Sequence, residues 1–198
     1  MITLDPITQK TQRSNTTATY KKLADKLKDR KIQSINVEGH KILDYGAGKQ
    51  LGTKVLRDTL KTSEVYSYEP FAGETTPNYS NPDQIPRDEF ALVICLNVLN
   101  VIKKSFDRQL IIQNIIDSLK VGGCGIIGVR HINNVAPWTK TAESCGDGEF
   151  LFPDGRFQKG YTKEILRGEL IRFDDRISIH MYPVKGLNTL TFAVCKEF

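Results

Sequence analysis

Apolar and polar positions alternate along this chain in the two periods that are typical of an α/β fold. Strand-length segments lie at 42–45, 64–69 and 90–96, and the last is a continuous apolar run, as expected for a strand buried on both faces of a parallel sheet. Apolar residues spaced three or four apart at 18–27 and 105–119 predict amphipathic helices that pack on this sheet. Strands and helices therefore alternate along the first half of the chain.

The second half continues this pattern as far as a final pair of strands. A strand is predicted at 125–130, and the segments 177–182 and 189–195 predict an antiparallel hairpin. Between Pro70 and Glu89 the chain is rich in Gly, Pro, Asn and Asp, so this stretch cannot hold a full helix and a strand. The parallel sheet is therefore expected to be shortened at this point.

The composition predicts one domain. A chain of 198 residues with 39% apolar content can bury one sizeable core, so we predict a single domain over 1–198. Residues 1–30 are expected to form a basic N-terminal arm and a helix. The apolar face of that helix carries Tyr20, Leu23, Ala24 and Leu27. Its lysines are either simply solvated or part of a basic lid over a ligand, and both interpretations stay open.

Charge and cysteine usage limit the partners and the compartment. A net charge of +5 and a pI near 9.0 admit a nucleic acid or another anionic partner without requiring one. Four cysteines without C-x-x-C spacing are typical of a reduced chain. The polar, Thr-rich start and the lack of a membrane-length apolar run predict a cytoplasmic protein that contacts no membrane. We predict no metal site, and the sequence carries no prediction of the oligomeric state.

A glycine-rich turn after the first strand is the most informative stretch of the chain. Asp44 precedes it, Gly46 and Gly48 let the backbone bend sharply, and a helix that begins near Thr53 points its free N–H groups at any bound ligand. Glu69 ends the second strand a little over twenty residues later, where a carboxylate can accept two hydrogen bonds from a ribose diol. Together these residues predict a nucleoside cofactor.

The charge of Asp44 bears on which cofactor binds. A carboxylate at the mouth of the turn would repel a pyrophosphate, whereas S-adenosylmethionine has no phosphate and carries an ammonium and a sulfonium group. S-adenosylmethionine is therefore favoured over NAD. A dinucleotide-dependent dehydrogenase, another kind of nucleotide-binding domain and a non-binding α/β scaffold stay open as alternatives.

The order of strand, Asp-x-Gly-x-Gly, helix, strand and acid resembles motif I and its acidic partner in class I S-adenosylmethionine-dependent methyltransferases. The resemblance implies a Rossmann-like class I methyltransferase sheet, mostly parallel, with one antiparallel strand at the edge in a C-terminal hairpin. Measured against that family, the sheet is shortened between strands 2 and 4. The implied cofactor is S-adenosyl-L-methionine, bound by Asp44, Tyr45, Gly46, Ala47, Gly48, Glu69, Pro70, Asn97 and Val98. The adenine contact stays open, and the candidates by position are Asp83, Gln84 and Ile85.

A narrower resemblance rests on five segments of the chain. They are similar to methyltransferases associated with DNA phosphorothioation genes and to phage relatives of those proteins, over roughly residues 10 to 165. The segments are Asp44–Lys49, Tyr68–Pro70, Asn97–Ile102, Val129–Arg130 and Gly155–Tyr161. The resemblance implies a methyltransferase in a DNA-modification setting, of a family whose own substrate is not established.

The segment after the strand 90–96 lacks two known signatures of DNA methylation. Amino-methylating DNA enzymes place Asp or Asn, two prolines and an aromatic residue here, and this chain has Val98 and Leu99 instead of the prolines. The Pro-Cys pair of cytosine C5 enzymes does not occur. Cys95 lies inside a predicted strand, as expected of a small buried apolar residue. The acceptor atom is therefore not identified.

The substrate side is predicted near the end of the strand 125–130 and in residues 131–161, a long loop-like insertion. Its aromatic and basic residues, Trp138 among them, suit stacking on a base and holding a phosphate; alternatively, its phenylalanines fold it back onto the core. His131 is the candidate catalytic base, because a neutral histidine can take a proton from an attacking hydroxyl or amine. The residues expected to face the substrate are Asn100, Arg130, Arg156, Gln158 and Lys159.

Taken together, these patterns predict a single-domain S-adenosylmethionine-dependent methyltransferase that acts on a nucleic acid or a nucleic-acid-associated molecule. Methyl transfer from a sulfonium is an in-line displacement, so the protein mainly has to align donor and acceptor and exclude water. The alternative is a catalytically silent S-adenosylmethionine-binding or host-interaction module, which the missing Pro-Pro signature fits equally well.

Overall fold

The computed structural model describes residues 17–29, 32, 35, 37–71, 73–135, 139–171, 177–180 and 189–197. These residues form five α-helices: α1 (Thr17–Lys28), α2 (Leu51–Leu60), α3 (Ser105–Ser118), α4 (Ile132–Val135) and α5 (Lys163–Ile171). They also form nine strands: β1 (Ile42–Tyr45), β2 (Val65–Tyr68), β3 (Phe90–Leu96), β4 (Leu119–Val129), β5 (Glu143–Gly146), β6 (Glu149–Leu151), β7 (Phe157–Lys159), β8 (Ile177–His180) and β9 (Leu190–Lys196). The arm before α1, Trp138 and the connection between β8 and β9 lie outside the described residues.

Six strands form one sheet in the order β2-β1-β3-β4-β9-β8. The first four are parallel to one another, β9 is antiparallel to β4, and β8 is antiparallel to β9. The prediction of a Rossmann-like, mostly parallel α/β sheet with a C-terminal hairpin is confirmed. The expectation that the antiparallel strand lies at the edge is wrong, because β8 pairs with the outer side of β9 and forms the edge itself.

β3 is the centre of the core. It pairs with β1 on one side and β4 on the other, and all seven of its residues are buried. Val93 and Cys95 belong to an apolar cluster that includes α3 and α5, whereas Leu92 and Ile94 belong to the cluster that includes α1 and α2. This alternation is what a strand covered by helices on both faces requires. The packing fixes the carboxyl end of β3, where ligands bind in open α/β sheets.

α1 packs on the α2 side of the sheet, as its apolar face predicts. The buried residues of α1 are the predicted ones: Tyr20, Leu23, Ala24 and Leu27. They share a cluster with Leu56 of α2 and Ile42 of β1. The helix therefore lies next to the helix that follows the glycine turn.

The described residues between β2 and β3 contain no α-helix. Their regular elements are a 3₁₀ helix, Pro82–Gln84, and one isolated parallel bridge between Tyr68 and Tyr79. Tyr79 thus stands where a further edge strand would lie beside β2, and the predicted shortening of the sheet is confirmed. Gln84 accepts the backbone N–H groups of Ser80 and Asn81, each at 3.0 Å, and closes a capping box.

The prediction of a loop over 131–161 is wrong. α4 opens the segment, and β5, β6 and β7 form a three-stranded antiparallel sheet, which we call the cap. All four residues of β5 are exposed, so this strand shows no apolar alternation that would have indicated it. Hydrogen bonds anchor β7 to the core: Asn100 Nδ2 donates to the carbonyl of Lys159 (2.7 Å), and Tyr161 N donates to that of Arg130 (2.9 Å).

A buried ionic cluster of Arg108, Glu149, Lys159 and Glu169, the Arg108 cluster, holds the cap against α3 and α5. Arg108 contacts Glu149 at 3.1 Å and Glu169 at 3.2 Å, while Lys159 contacts the same carboxylates at 2.9 and 3.7 Å. The side chains of Arg108 and Lys159 are only 3% and 6% exposed, so water screens these contacts weakly. Removing one partner would leave a buried charge unpaired, which is strongly unfavourable.

Two observations bear on the expected compartment. Cys124 of β4 and Cys195 of β9 are register partners with Cα atoms 4.1 Å apart, and they form a disulfide. The prediction that all four cysteines are reduced is therefore wrong, because the sheet brings together two residues that are distant in the chain; Cys95 and Cys145 are free thiols. None of the described helices is both long and apolar enough to span a membrane.

We expect the disulfide to form in the purified protein and to stabilise it. Iodoacetamide under denaturing, non-reducing conditions should label Cys95 and Cys145 alone, as judged by mass spectrometry. Because the bond joins residues 71 positions apart, Cys195→Ser should lower the free energy of unfolding by up to about 4 kcal/mol in urea denaturation. Cys145→Ser removes an exposed free thiol and is the matched control. Labelling of all four cysteines would contradict the expectation.

Candidate functional site

A cavity opens at the carboxyl ends of β1, β2 and β3, and it gathers most of the residues singled out in the sequence. Its walls come from the glycine turn, the segments after β2, β3 and β4, and one strand of the cap. The predicted residues that line it are Tyr45, Gly46, Ala47, Gly48, Glu69, Pro70, Asn97, Val98, Asn100, Arg130 and Gln158. This arrangement is the one expected of a ligand site in an open, mostly parallel sheet.

The glycine turn requires its glycines for two reasons. Gly46 and Gly48 have φ angles of 75° and 56°, in the left-handed region that residues with a Cβ atom rarely adopt. At Gly46 there is also no room, because a Cβ atom would lie 2.4 Å from Cγ2 of Val98. Gln50, with a φ of 57°, ends the turn, and α2 begins at Leu51, two residues earlier than expected.

The N–H groups of the turn are already bonded within the protein. Gly46 N and Ala47 N both donate to the carbonyl of Tyr68, at 2.9 and 3.0 Å, and Gly48 N donates to Oε2 of Glu69 at 2.7 Å. A phosphate-binding turn instead keeps such N–H groups for its ligand. Three N–H groups of the turn are therefore engaged within the protein.

Glu69 lies at the wall of the cavity directly after β2 and is 5% exposed. Its Oε2 accepts the N–H of Gly48, and its Oε1 accepts the N–H of Phe71 at 3.0 Å. Both are charge-assisted bonds to backbone, so they hold the carboxylate in one orientation before any ligand binds. A carboxylate has about four lone-pair sites, so it can accept more hydrogen bonds than these two.

Asp44 does not line the cavity, and direct binding of the cofactor by Asp44 stays a prediction. Its fully buried carboxylate accepts hydrogen bonds from Tyr20 Oη and Thr53 Oγ1, both at 2.6 Å. Burial raises the pKa of Asp44 from 3.8 to about 6, against the lowering effect of the two hydroxyl donors, and the nearby Glu69 raises it further. Its charge therefore cannot exclude a pyrophosphate by direct contact.

Three side-chain oxygens at the cavity are buried and have no hydrogen-bond partner among the described residues: Oη of Tyr45 and two amide acceptors, Oδ1 of Asn97 and Oε1 of Gln158. Asn97 follows β3 with a φ of 60°, and its N–H donates to the carbonyl of Gly128 at 2.7 Å. Gln158 is the central residue of β7. Because buried polar atoms are nearly always hydrogen-bonded, these two acceptors indicate a ligand that brings donors of its own.

Asn100 links the cavity to the cap. Its Nδ2 donates to the carbonyl of Lys159 at 2.7 Å, and its Oδ1 accepts the N–H of Arg130 at 3.2 Å. The side chain is buried and engaged at both ends, so it joins the 3₁₀ helix Leu99–Val101 to β7 and to the end of β4. Asn100 thus supports the cavity wall, while direct binding of a substrate by Asn100 or Arg130 stays a prediction.

Three residues predicted for catalysis or substrate binding do not line the cavity. His131 lies outside it, and its Nδ1 accepts a backbone N–H two residues along the chain at 3.2 Å. Arg156 is paired with Asp154 at 2.6 Å, and Lys159 is buried in the Arg108 cluster. The geometry therefore gives no support to His131 as the base. Lys159 is neutralised within the protein, whereas the pair of Arg156 with Asp154 is partly exposed and weak.

The cavity is also lined by residues that were not among the predicted binding residues: Tyr20, Lys49, Leu51, Tyr68, Phe71, Leu96, Val101, Ile102 and Ile111. Lys49, Tyr68, Val101 and Ile102 belong to segments of the narrower resemblance, and Tyr20 lies on the predicted apolar face of α1. The candidates for adenine, Asp83, Gln84 and Ile85, do not line the cavity.

The rings of Tyr45 and Tyr68 lie 4.6 Å apart, and burial raises the pKa of both phenols, so they line the wall as neutral hydroxyls. In the part of the chain that the structure describes, no cluster of three or more His, Cys, Asp or Glu side chains could hold a metal ion.

We expect Asp44 to make the free energy of unfolding depend on pH. Its folded pKa of about 6 lies above the ordinary value of 3.8, so the folded state binds this proton more tightly than the unfolded state. The stability that comes from this tighter proton binding is therefore complete below about pH 4 and is lost as the pH rises through about 6. Asn at position 44 does not titrate. The free energy of unfolding of Asp44→Asn should therefore rise by about 3 kcal/mol relative to that of the natural protein between about pH 4 and pH 7.

Urea denaturation at several pH values measures this difference. Asp58→Asn, which removes an exposed carboxylate of α2, is the control for the chemical change itself. Parallel pH profiles for the natural protein and Asp44→Asn would show that Asp44 is not the titrating group.

No protein-family model and no curated protein matches this sequence. Solved structures match it in fold. An S-adenosylmethionine-dependent methyltransferase from Clostridium acetobutylicum superposes with a TM-score of 0.63 at 16% identity, over 90% of this chain and 92% of the other. A sugar N-methyltransferase from a Streptoalloteichus species superposes with a TM-score of 0.63 at 13% identity, over 90% and 88%.

A third match is the 1,6-didemethyltoxoflavin-N1-methyltransferase of Burkholderia thailandensis, whose structure holds 1,6-didemethyltoxoflavin and S-adenosylhomocysteine. It superposes with a TM-score of 0.56 at 15% identity, over 94% of this chain and 91% of the other. The narrower resemblance to phosphorothioation-associated and phage proteins stays a prediction. At these identities the likeness shows the fold: the chain has the Rossmann-like α/β fold of class I S-adenosylmethionine-dependent methyltransferases.

Proposed function

We propose that this protein is an S-adenosylmethionine-dependent methyltransferase. The observation that carries the proposal is the bond between Gly48 N and Glu69, which fixes a nearly buried carboxylate at the cavity wall just after β2. A ribose diol can donate two hydrogen bonds to a carboxylate in this place. The fold, shared with enzymes that use this cofactor, supports the same conclusion.

A cofactor with a pyrophosphate is less compatible with the site. The N–H groups of Gly46, Ala47 and Gly48 are bonded to Tyr68 and Glu69, so the turn offers a phosphate few donors. S-adenosylmethionine needs no phosphate site, and its ammonium group can donate to an acceptor such as Oδ1 of Asn97.

The cofactor would supply a methyl group on a sulfonium: a nucleophile forms a bond to the methyl carbon as the carbon–sulfur bond breaks, and S-adenosylhomocysteine leaves as the neutral thioether. The protein then has to hold the acceptor in line with that methyl group and exclude water. The glycine turn, Glu69 and Asn97 form the cofactor wall, and Gln158 reaches the cavity from the cap. A neutral amine can attack without a general base, so the position of His131 outside the cavity does not weaken the proposal.

The nature of the acceptor is the finer part of the proposal. A nucleic acid stays a prediction, supported by the net charge of +5. One of the cations on which the nucleic-acid prediction depended, Lys159, is buried and paired with Glu149, and a phosphate would have to replace this partner. The pair of Arg156 with Asp154 is partly exposed and contributes little, so it leaves Arg156 able to contact a phosphate. The geometry of the cap therefore favours a small-molecule acceptor, and two of the enzymes with the same fold are named for small-molecule acceptors.

Glu69→Ala should weaken the binding of S-adenosylmethionine by roughly 2 to 4 kcal/mol in isothermal titration calorimetry, because two charge-assisted hydrogen bonds are lost. Glu64→Ala is the matched control, since Glu64 directly precedes β2 and does not line the cavity. Micromolar binding of NADH together with no binding of S-adenosylmethionine would refute the proposal.

Gln158→Leu should leave the affinity for S-adenosylhomocysteine unchanged and lower turnover about 10- to 100-fold, since an acceptor in the cavity would lose a hydrogen bond. The measurement is release of S-adenosylhomocysteine with panels of small amines and alcohols, and with DNA and RNA. Arg156→Ala is the counterpart: a nucleic-acid substrate would make turnover depend on Arg156 rather than on Gln158. Cofactor binding without turnover on any panel would favour the catalytically silent module.

A further inference from the structure

Tyr20 connects α1 to the cavity. It is buried on the apolar face of α1 and also lines the cavity, together with Gly48, Lys49 and Leu51. A residue from the first described helix is thus part of the wall formed by the glycine turn. A ligand that fills this part of the cavity would contact the Tyr20 ring.

The hydroxyl of Tyr20 is held by Asp44. Tyr20 Oη donates to Oδ1 of Asp44 at 2.6 Å, and Thr53 Oγ1 donates to Oδ2 of the same carboxylate at 2.6 Å. The bond is buried and joins residues 24 positions apart. Asp44 thereby connects α1, β1 and α2 at one point directly beside the turn, although it does not reach the cavity itself.

The ring of Tyr20 also requires Gly52. A Cβ atom at position 52 would lie 2.5 Å from Cζ and 2.6 Å from Cε2 of Tyr20, distances at which the ring would have to move. Gly52 is helical, and glycine inside a helix is about 1 kcal/mol less favourable than alanine. The glycine is therefore explained by the approach of Tyr20 and not by the needs of α2.

We propose that α1 is a lid on this cavity, that Tyr20 is its ligand-contact residue, and that Asp44 positions Tyr20 through their hydrogen bond. This inference rests on the proposed function, since the ligand is the methyl donor or its product. Release of the ligand requires the Tyr20–Asp44 bond to open and the ring to leave its place over Gly52. Asp44 is then a positioning residue that acts through Tyr20.

The test is the dissociation rate of S-adenosylhomocysteine, measured by stopped-flow displacement. Tyr20→Phe keeps the ring and removes the bond to Asp44, so it should speed dissociation by roughly tenfold. Gly52→Ala should also speed dissociation, because the added methyl group displaces the ring while it favours the helix. Tyr66→Phe removes a tyrosine hydroxyl that bonds Glu64 outside the cavity and should leave the rate unchanged.

Thermal denaturation without ligand shows whether each variant is folded. Hydrogen exchange of the α1 amides provides a second measurement: S-adenosylhomocysteine should protect α1 in the natural protein and protect it less in Tyr20→Phe. If the natural protein binds S-adenosylhomocysteine and all variants release it at the same rate, the lid is refuted and the proposed function stands. If Tyr66→Phe releases it as fast as Tyr20→Phe, the effect is general and the lid is also refuted. If the natural protein does not bind S-adenosylhomocysteine, the proposed function fails and the lid fails with it.

Discussion

The hydrogen bond from Gly48 N to Glu69 is the contact on which the candidate site depends. The parallel register of β1 and β2, with Tyr45 opposite Tyr68, brings the glycine turn beside the residue that follows β2. The bond then does two things at once. It orients a carboxylate toward the cavity, and it engages an N–H group that a phosphate would otherwise use. The proposed preference for a cofactor without phosphates therefore rests on backbone donors and on one carboxylate.

The contacts of Asp44 differ from those expected from the sequence motif. Read from the sequence, its charge faces the ligand; in the structure, it faces Tyr20 and Thr53. The charge of a buried carboxylate is unfavourable unless donors compensate it, and here two hydroxyl groups from α1 and α2 do so in part, because the pKa of Asp44 stays raised. Asp44 connects the elements around the turn, while other residues line the cavity in which a ligand would bind.

Features that depend on residues close together in the chain could be predicted from the sequence. The bounds of β3, the buried face of α1 and the positive φ angles at Gly46 and Gly48 all follow from local spacing or from the properties of glycine. Contacts between distant residues could not be predicted in this way. Tyr20 meets Asp44 across 24 positions, Arg108 meets Glu149 across 41, and Cys124 meets Cys195 across 71. The cap was missed because β5 is exposed and shows no apolar alternation.

The two walls of the cavity are stabilised by different interactions. The cofactor wall rests on backbone hydrogen bonds and on apolar packing around β3, whereas the cap is held by the charges of the Arg108 cluster. A buried ion pair is highly sensitive to the loss of one partner, because the other charge is left desolvated. Lys159 belongs to this cluster and is the neighbour of Gln158 in β7, so the position of the Gln158 amide in the cavity depends on Glu149, Glu169 and Arg108. The residues that fix the cap side of the cavity are thus partly ones that do not line it.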